Sequence, residues 1–165
     1  MKAVVVYESL WGNTAAIARA IAEGIGNGAC ALSTAEASEA AIADVDLLVV
    51  GAPIHAFGLP TNQSREQAAA NPEKVPSPPD LSHPSMRAWL KALPKGHAHA
   101  AAFETRLPVT LGSATAAILR ALKGAGYHPI AKGRRFIVQG SYGPLRDGEV
   151  ERARQWGAEL VEAIK

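Results

Sequence analysis

Ala3–Ile25 reads AVVVYESLWGNTAAIARAIAEGI, and its three parts decide the fold. Ala3–Tyr7 is a short, nearly continuous β-branched run, the pattern of a parallel strand buried on both faces. Glu8–Thr14 is a turn built around Gly12. Ile17, Ile21 and Ile25, with Ala18 and Ala22, then recur at helical spacing and stop at Gly26 and Gly28. Strand, tight turn and amphipathic helix in that order are the first half of a βαβ unit.

The same alternation continues to the C-terminus. Leu47–Gly51, Ala98–Phe103 and Phe136–Gly140 read as further buried strands, and Ala29–Leu32 as a weaker one. Met86, Trp89, Leu90 and Leu93 make a helical stripe stopped by Pro94. Ile118, Leu119 and Leu122 make another that ends at Gly124 and Gly126, and Val150, Ala153, Gly157, Leu160, Val161 and Ile164 make the last, with Asp147 as its expected cap. Right-handed crossovers lay each helix on a sheet face, so the prediction is one doubly wound α/β domain over residues 1–165, with five parallel strands and helices on both faces. One stretch breaks the rhythm. Asn62–Ser85 is polar and carries Pro72, Pro76, Pro78, Pro79 and Pro84, which predicts an irregular excursion: either a disordered surface segment or a functional lid.

Composition narrows the setting. The chain has 165 residues, 48% of them hydrophobic, and its single cysteine, Cys30, has no partner within it, so a disulfide scaffold is excluded and a reducing, cytoplasmic compartment is expected. No apolar run approaches the ~20 residues of a membrane span, and the Met-Lys start lacks the regions of a signal peptide. A formal charge of +2 is too mild to imply nucleic acid. Its distribution is uneven: residues 1–60 hold 2 Lys/Arg against 6 Asp/Glu, a balance of −4, and residues 61–165 hold 15 against 9, a balance of +6.

Ligands of a doubly wound sheet bind beyond the carboxyl ends of its strands. The loops after the first, third and fourth strands should meet there. In the first, the hydroxyls of Ser9 and Thr14, the Asn13 amide, Gly12 and a helix N-terminus suit a phosphate; the plainer alternative is that Ser9, Asn13 and Thr14 cap the helix. The loop lacks the Gly-Lys-Ser/Thr ending of a Walker sequence and the Gly-x-Gly-x-x-Gly of dinucleotide folds.

Tyr7-Glu8-Ser9-Leu10-Trp11-Gly12-Asn13-Thr14, followed by Ile17-Ala18, resembles the phosphate loop of the flavodoxin-like family in its Gly-Asn-Thr variant. The resemblance extends to the second loop, Gly51-Ala52-Pro53-Ile54-His55-Ala56-Phe57-Gly58, and to the third, Phe103-Glu104-Thr105-Arg106, and so covers essentially the whole chain. It implies a three-layer sandwich with strand order 2-1-3-4-5, non-covalent FMN and electron transfer. The implied phosphate site is Ser9, Leu10, Trp11, Gly12, Asn13 and Thr14. The implied ring site is Pro53, Ile54, His55, Ala56, Phe57 and Gly58, with Glu104, Thr105 and Arg106. Of these, Phe57, His55, Ile54 and Trp11 have the flat or apolar character that a stacked ring needs. Gly58 would allow the backbone rearrangement that some family members make toward the flavin. Arg106 either faces the ring edge, where a cation favours the anionic reduced flavin, or is a solvated partner of Glu104.

The partner implied is a redox protein or a small-molecule electron acceptor, with no nucleic acid or membrane. A flavin-dependent NAD(P)H/quinone-type oxidoreductase, and a non-catalytic module that binds another phosphate ligand or a protein, are the alternatives. The chain departs from acidic members of the family in its basic later part, in a third loop (Glu104–Gly112) without an aromatic residue, and in Trp11 where a small hydroxyl residue is usual. The other candidates have simpler readings: His97 and His99 as strand-edge residues rather than a zinc site, Ser113 and Thr115 as helix caps, and Lys132-Gly133-Arg134-Arg135 as a solvated strand start. Gly140-Ser141-Tyr142-Gly143 follows the fifth strand and can approach the same rim, although two glycines suit an ordinary turn.

Overall fold

Val4 and Val6 point to one side of the sheet and Val5 to the other, and all three are buried because helices cover both sides. The structure is a computed structural model and describes residues 1–70, 72 and 75–165. Strand β1 (Ala3–Tyr7) lies between β2 (Cys30–Ser33) and β3 (Leu47–Pro53), and β3 pairs on its far side with β4 (His99–Arg106). Two short strands follow along β4: β5 (His128–Pro129) beside His99 and Ala100, and β6 (Arg134–Ile137) beside Phe103–Arg106. Every pairing between these strands is parallel, in the order β2-β1-β3-β4-β5 with β6 continuing the β5 edge.

The predicted fifth strand, Phe136–Gly140, is therefore shifted and divided. β5 is the short run His128–Pro129, flanked by ladder bonds in which the His128 and Ile130 N–H groups donate to the Ala98 and Ala100 carbonyls. The chain resumes pairing at Arg134 and leaves the sheet after Ile137, because Val138 pairs back on Leu145 and the Gln139 N–H donates to the Pro144 carbonyl.

Helices α1 (Asn13–Ile25) and α6 (Glu149–Ile164) cover one face, burying Ile17, Ile21, Trp156 and Leu160 against Val5, Val49 and Phe103. The other face is covered by the short α2 (Glu39–Ile42) together with α4 (Met86–Lys91) and α5 (Thr115–Gly124), through Ile42, Met86, Trp89, Ile118 and Leu122. Two helices lie outside the predicted stripes, the short α2 and a longer one in the excursion. Asn62–Ser85 opens with α3 (Asn62–Ala69), a regular helix whose Thr61 and Ser64 side chains each bond the other's backbone N–H. The prolines begin only at residue 72, so nothing in 62–69 opposes a helix. Ser85, at the other end of the segment, caps α4; Asn71, Glu73 and Lys74 lie outside the described residues. Asp147 does not cap α6, whose N-cap is Gly148 at φ 85° with no side-chain bond.

The approach of α1 to α6 depends on two glycines. A Cβ on Gly24 would collide with the Arg154 carbonyl, and one on Gly157 with the Ile21 carbonyl. These backbones cannot move apart without opening the core beneath them. Gly157→Ala should therefore lower stability by roughly 1–3 kcal/mol in urea unfolding, the usual cost of overpacking; a change under about 0.5 kcal/mol would contradict this packing.

Candidate functional site

Helix α1 begins at Asn13 with Gly12, at φ 93°, as its N-cap, and no side chain caps it. The residues able to do so have other partners. Ser9 Oγ accepts from the Gly12 N–H at 3.1 Å, Asn13 Nδ2 donates to the Tyr142 carbonyl at 3.2 Å, and the buried hydroxyls of Thr14 and Thr105 bond each other at 2.8 Å. The Ala16 N–H is the first to find a carbonyl acceptor one turn back, at Gly12, so the amides of Asn13, Thr14 and Ala15 have none within the helix. An uncapped helix start is a ready anion site, and this one opens on a cavity.

That cavity has a volume of about 430 Å³ and sits at the carboxyl ends of β1, β3 and β4. The first loop contributes Ser9, Leu10, Trp11, Asn13 and Thr14; the second contributes Pro53, Ile54, His55 and Ala56; the third contributes Thr105 and Arg106. Four residues expected there stand off the wall. Gly12 is exposed in the turn outside the cavity wall, and Phe57 points outward with 67% of its surface exposed. Gly58 closes the turn against His55, and Glu104 is wholly buried beneath the third loop.

Other wall residues come from segments whose role the sequence leaves open. Helix α3 supplies Ser64, Gln67 and Ala68, which makes the start of the excursion part of the site. Its legible signal is the Thr61–Ser64 capping pair ahead of a proline-free stretch. The third loop extends to Leu107 and Thr110, and the region after β6 adds Val138, Ser141 and Tyr142. The Gly140–Gly143 turn thus reaches the rim, and Tyr142 packs edge-on against Trp11 with ring centroids 4.8 Å apart. A Cβ on Gly143 would crowd the Asn13 side chain, so a glycine is needed for this turn to lie so close to the first loop.

Arg106 combines parts of its two readings. It pairs with Glu104 at 3.3 Å, yet it is buried rather than solvated, lines the cavity, and also donates to the Gly112 carbonyl at 3.3 Å. Its charge is neutralised within the protein. Among the described lining residues it is the only Lys, Arg, Asp or Glu, so any anion here depends mainly on neutral donors.

The excursion is tied down beside the first loop. Glu8 is fully buried; its Oε1 accepts from the Met86 N–H at 2.9 Å and its Oε2 lies 3.5 Å from Arg65 Nε, on α3. Burial pushes the Glu8 carboxyl above its ordinary pKa, opposed by that N–H and by the Arg65 and Arg87 charges. Arg65 also donates to the His83 carbonyl at 2.6 Å, the Asp80 N–H donates to the Leu10 carbonyl at 2.8 Å, and Trp11 Nε1 donates to the Ser77 carbonyl at 3.1 Å. The described parts of Asn62–Ser85 are thus bonded to the first loop at Glu8, Leu10 and Trp11.

No protein-family model and no curated protein matches the chain in sequence. Solved structures do match in shape. A flavodoxin from the domain Archaea superposes with a TM-score of 0.68 at 19% identity, over 99% of both chains. Flavodoxin 2 from Bacillus cereus gives 0.69 at 12% identity, over 98% of this chain and 99% of that one. The chain has the flavodoxin fold. A flavodoxin-like arrangement also matches within a larger protein: the Flv1 flavodiiron core from Synechocystis sp. PCC6803 gives a TM-score of 0.63 at 18% identity, with 99% of this chain covering 36% of that one. Among the described residues, no helix of this flavodoxin-fold chain is long and apolar enough to cross a membrane.

His55 provides a pH readout of this site. Its Nδ1 lies 3.0 Å from Ser64 Oγ, and burial, reinforced by the Arg65 charge, pushes its pKa below the ordinary value. The folded protein therefore binds the proton less readily than the unfolded chain, so the His55 contribution to stability is full above the ordinary value, near 6.5, and is lost as pH falls from there through the lower folded-state pKa. NMR titration of the ring should give a midpoint below 6.5, and Arg65→Met should raise it; a midpoint above 6.5 would contradict this environment.

Proposed function

We propose that the cavity binds FMN non-covalently and that the protein transfers electrons through it. The observation that carries this reading is the uncapped start of α1, opening between Ser9, Asn13 and Thr14 onto a cavity walled by aromatic and apolar side chains. The residues suit the group in three respects. A phosphate is recognised by free helix N–H groups and hydroxyls. A planar ring is accommodated by Trp11, Tyr142, His55, Ile54 and Pro53. The volume of about 430 Å³ falls within the roughly 300–1,000 Å³ of small-molecule sites.

Ser9, Asn13, Thr14 and the first amides of α1 would hold the phosphate, and Pro53–Ala56 with Thr105 and Arg106 would bound the ring. When bound, the flavin supplies the redox chemistry. The protein supplies position, exclusion of water and the surrounding field. Because Arg106 is already paired with Glu104, its effect on the charge of a bound ring is smaller than that of a free guanidinium. The surrounding fold, shared with flavodoxins and with a flavodiiron core, supports an electron-transfer role.

Quenching of flavin fluorescence on titration with FMN and with riboflavin tests the reading. Charge-assisted hydrogen bonds each contribute about 1.5–3 kcal/mol, so FMN should bind at least ~100-fold more tightly than riboflavin, which lacks the phosphate. Equal affinities, or no quenching by either flavin, would overturn it.

A further inference from the structure

The turn after β3 carries unusual backbone strain. His55 and Gly58 close it with two hydrogen bonds, and the residues between them, Ala56 and Phe57, both have positive φ, 43° and 75°. Two-residue turns of this kind are ordinarily built from Asn-Gly or Gly-Gly, because a side chain is costly at such φ. A non-glycine residue held there is strained and persists only where its surroundings enforce it. Burial of Phe57 cannot be the enforcing factor, since its ring is largely exposed.

The loop after β4 enforces it instead. The Ser113 N–H donates to the Phe57 carbonyl at 3.0 Å. Gly112, at φ 84°, packs so closely on the same carbonyl that any Cβ would collide with it. Both residues are held from below by Glu104. Its Oε1 accepts from Ser113 Oγ at 3.2 Å and from Thr115 Oγ1 at 3.1 Å, and its Oε2 accepts from Arg106, which in turn donates to the Gly112 carbonyl. A fully buried carboxylate with this many donors is a rigid anchor.

We propose that Glu104 is a positioning residue for the cavity: through Ser113 and Gly112 it clamps the Phe57 carbonyl and so fixes the strained His55–Gly58 turn, whose His55 and Ala56 form the ring-side wall. Glu104 itself touches no ligand. The effect on flavin affinity rests on the FMN reading above, whereas the clamp exists in the ligand-free protein and is tested there independently.

The first measurement is amide hydrogen exchange, by NMR, in the ligand-free protein. Glu104→Gln and Ser113→Ala should each speed exchange at residue 113 tenfold or more while Val49 in β3 keeps its protection. Ser113→Ala retains the amide and leaves the buried carboxylate–guanidinium pair in place, so it reads the clamp even if Glu104→Gln destabilises the fold. Ser113 Oγ also accepts from the Ala116 N–H, so a role limited to capping α5 predicts faster exchange at Ala116 alone. The second measurement is affinity. Both variants should weaken FMN and riboflavin by one common factor of about 5–10, because only the ring wall is disturbed. Phe57→Gly relieves the strain at one of the two positions that the clamp opposes, so adding Glu104→Gln to it should weaken affinity by a smaller factor than Glu104→Gln does alone. Unchanged exchange at residue 113 in both variants, or an undiminished Glu104→Gln effect on a Phe57→Gly background, would overturn the proposal. Failure of the wild-type protein to bind either flavin would overturn the FMN reading and leave the exchange result to decide the clamp.

Discussion

A parallel sheet covered on both faces leaves its strand ends as the places where loops can converge on a ligand. β1 is the pivot of that constraint here, with β2 on one side and β3 on the other. The chain leaves β1 directly into the turn that starts α1, and the crossovers that follow bring the loops after β3, β4 and β6 to the same end. The cavity is a product of this topology. Its chemical character comes from what each loop then presents: first-turn amides of α1 without acceptors in the helix, apolar walls from β3 and the region after β6, and a neutralised ion pair beneath the β4 loop.

The parts of the fold legible in the sequence are those where local pattern and tertiary burial agree. Ala3–Tyr7 is continuous and β-branched because helices cover both its faces, and it forms β1 with the predicted bounds. The Ile17–Ile21–Ile25 stripe is the buried face of α1. Where a long-range partner decides, the sequence is silent. Nothing in Phe136–Gly140 signals that Val138 turns back on Leu145 and ends the strand early. The prolines of the excursion hide a helix that ends before the first of them.

The site shows the same division. Residues on the loops after β1 and β3 were readable from turn composition and from the resemblance, and most reach the wall. Phe57 does not, because its backbone twists the ring outward. Tyr142 lies on the turn after β6 and reaches the rim, one of the two readings given to that turn, whereas Gln67 comes from α3, which sequence reading did not resolve. Glu104 belongs to the loop that sequence reading selected, but it is wholly buried, its carboxylate taken up by Ser113, Thr115 and Arg106. The charge asymmetry also acquires a different meaning. Arg65, Arg106, Arg134, Arg152 and Arg154 all lie in the basic later part, and each is paired with a glutamate, the first two in the interior and the other three at the surface. The turns Ser9–Thr14, His55–Gly58, Leu107–Ser113 and Gln139–Leu145 contain no Lys, Arg, Asp or Glu at all.

An anion in such surroundings must be held by amides and hydroxyls, and hydrogen bonds to a dianion depress its final pKa. The most direct measurement is therefore phosphorus NMR of the FMN-loaded protein between about pH 5 and 8, where a free phosphomonoester titrates near 6. The account predicts a bound resonance that stays at the dianion position across that range. A bound phosphate that titrates near 6, as in free solution, would contradict it.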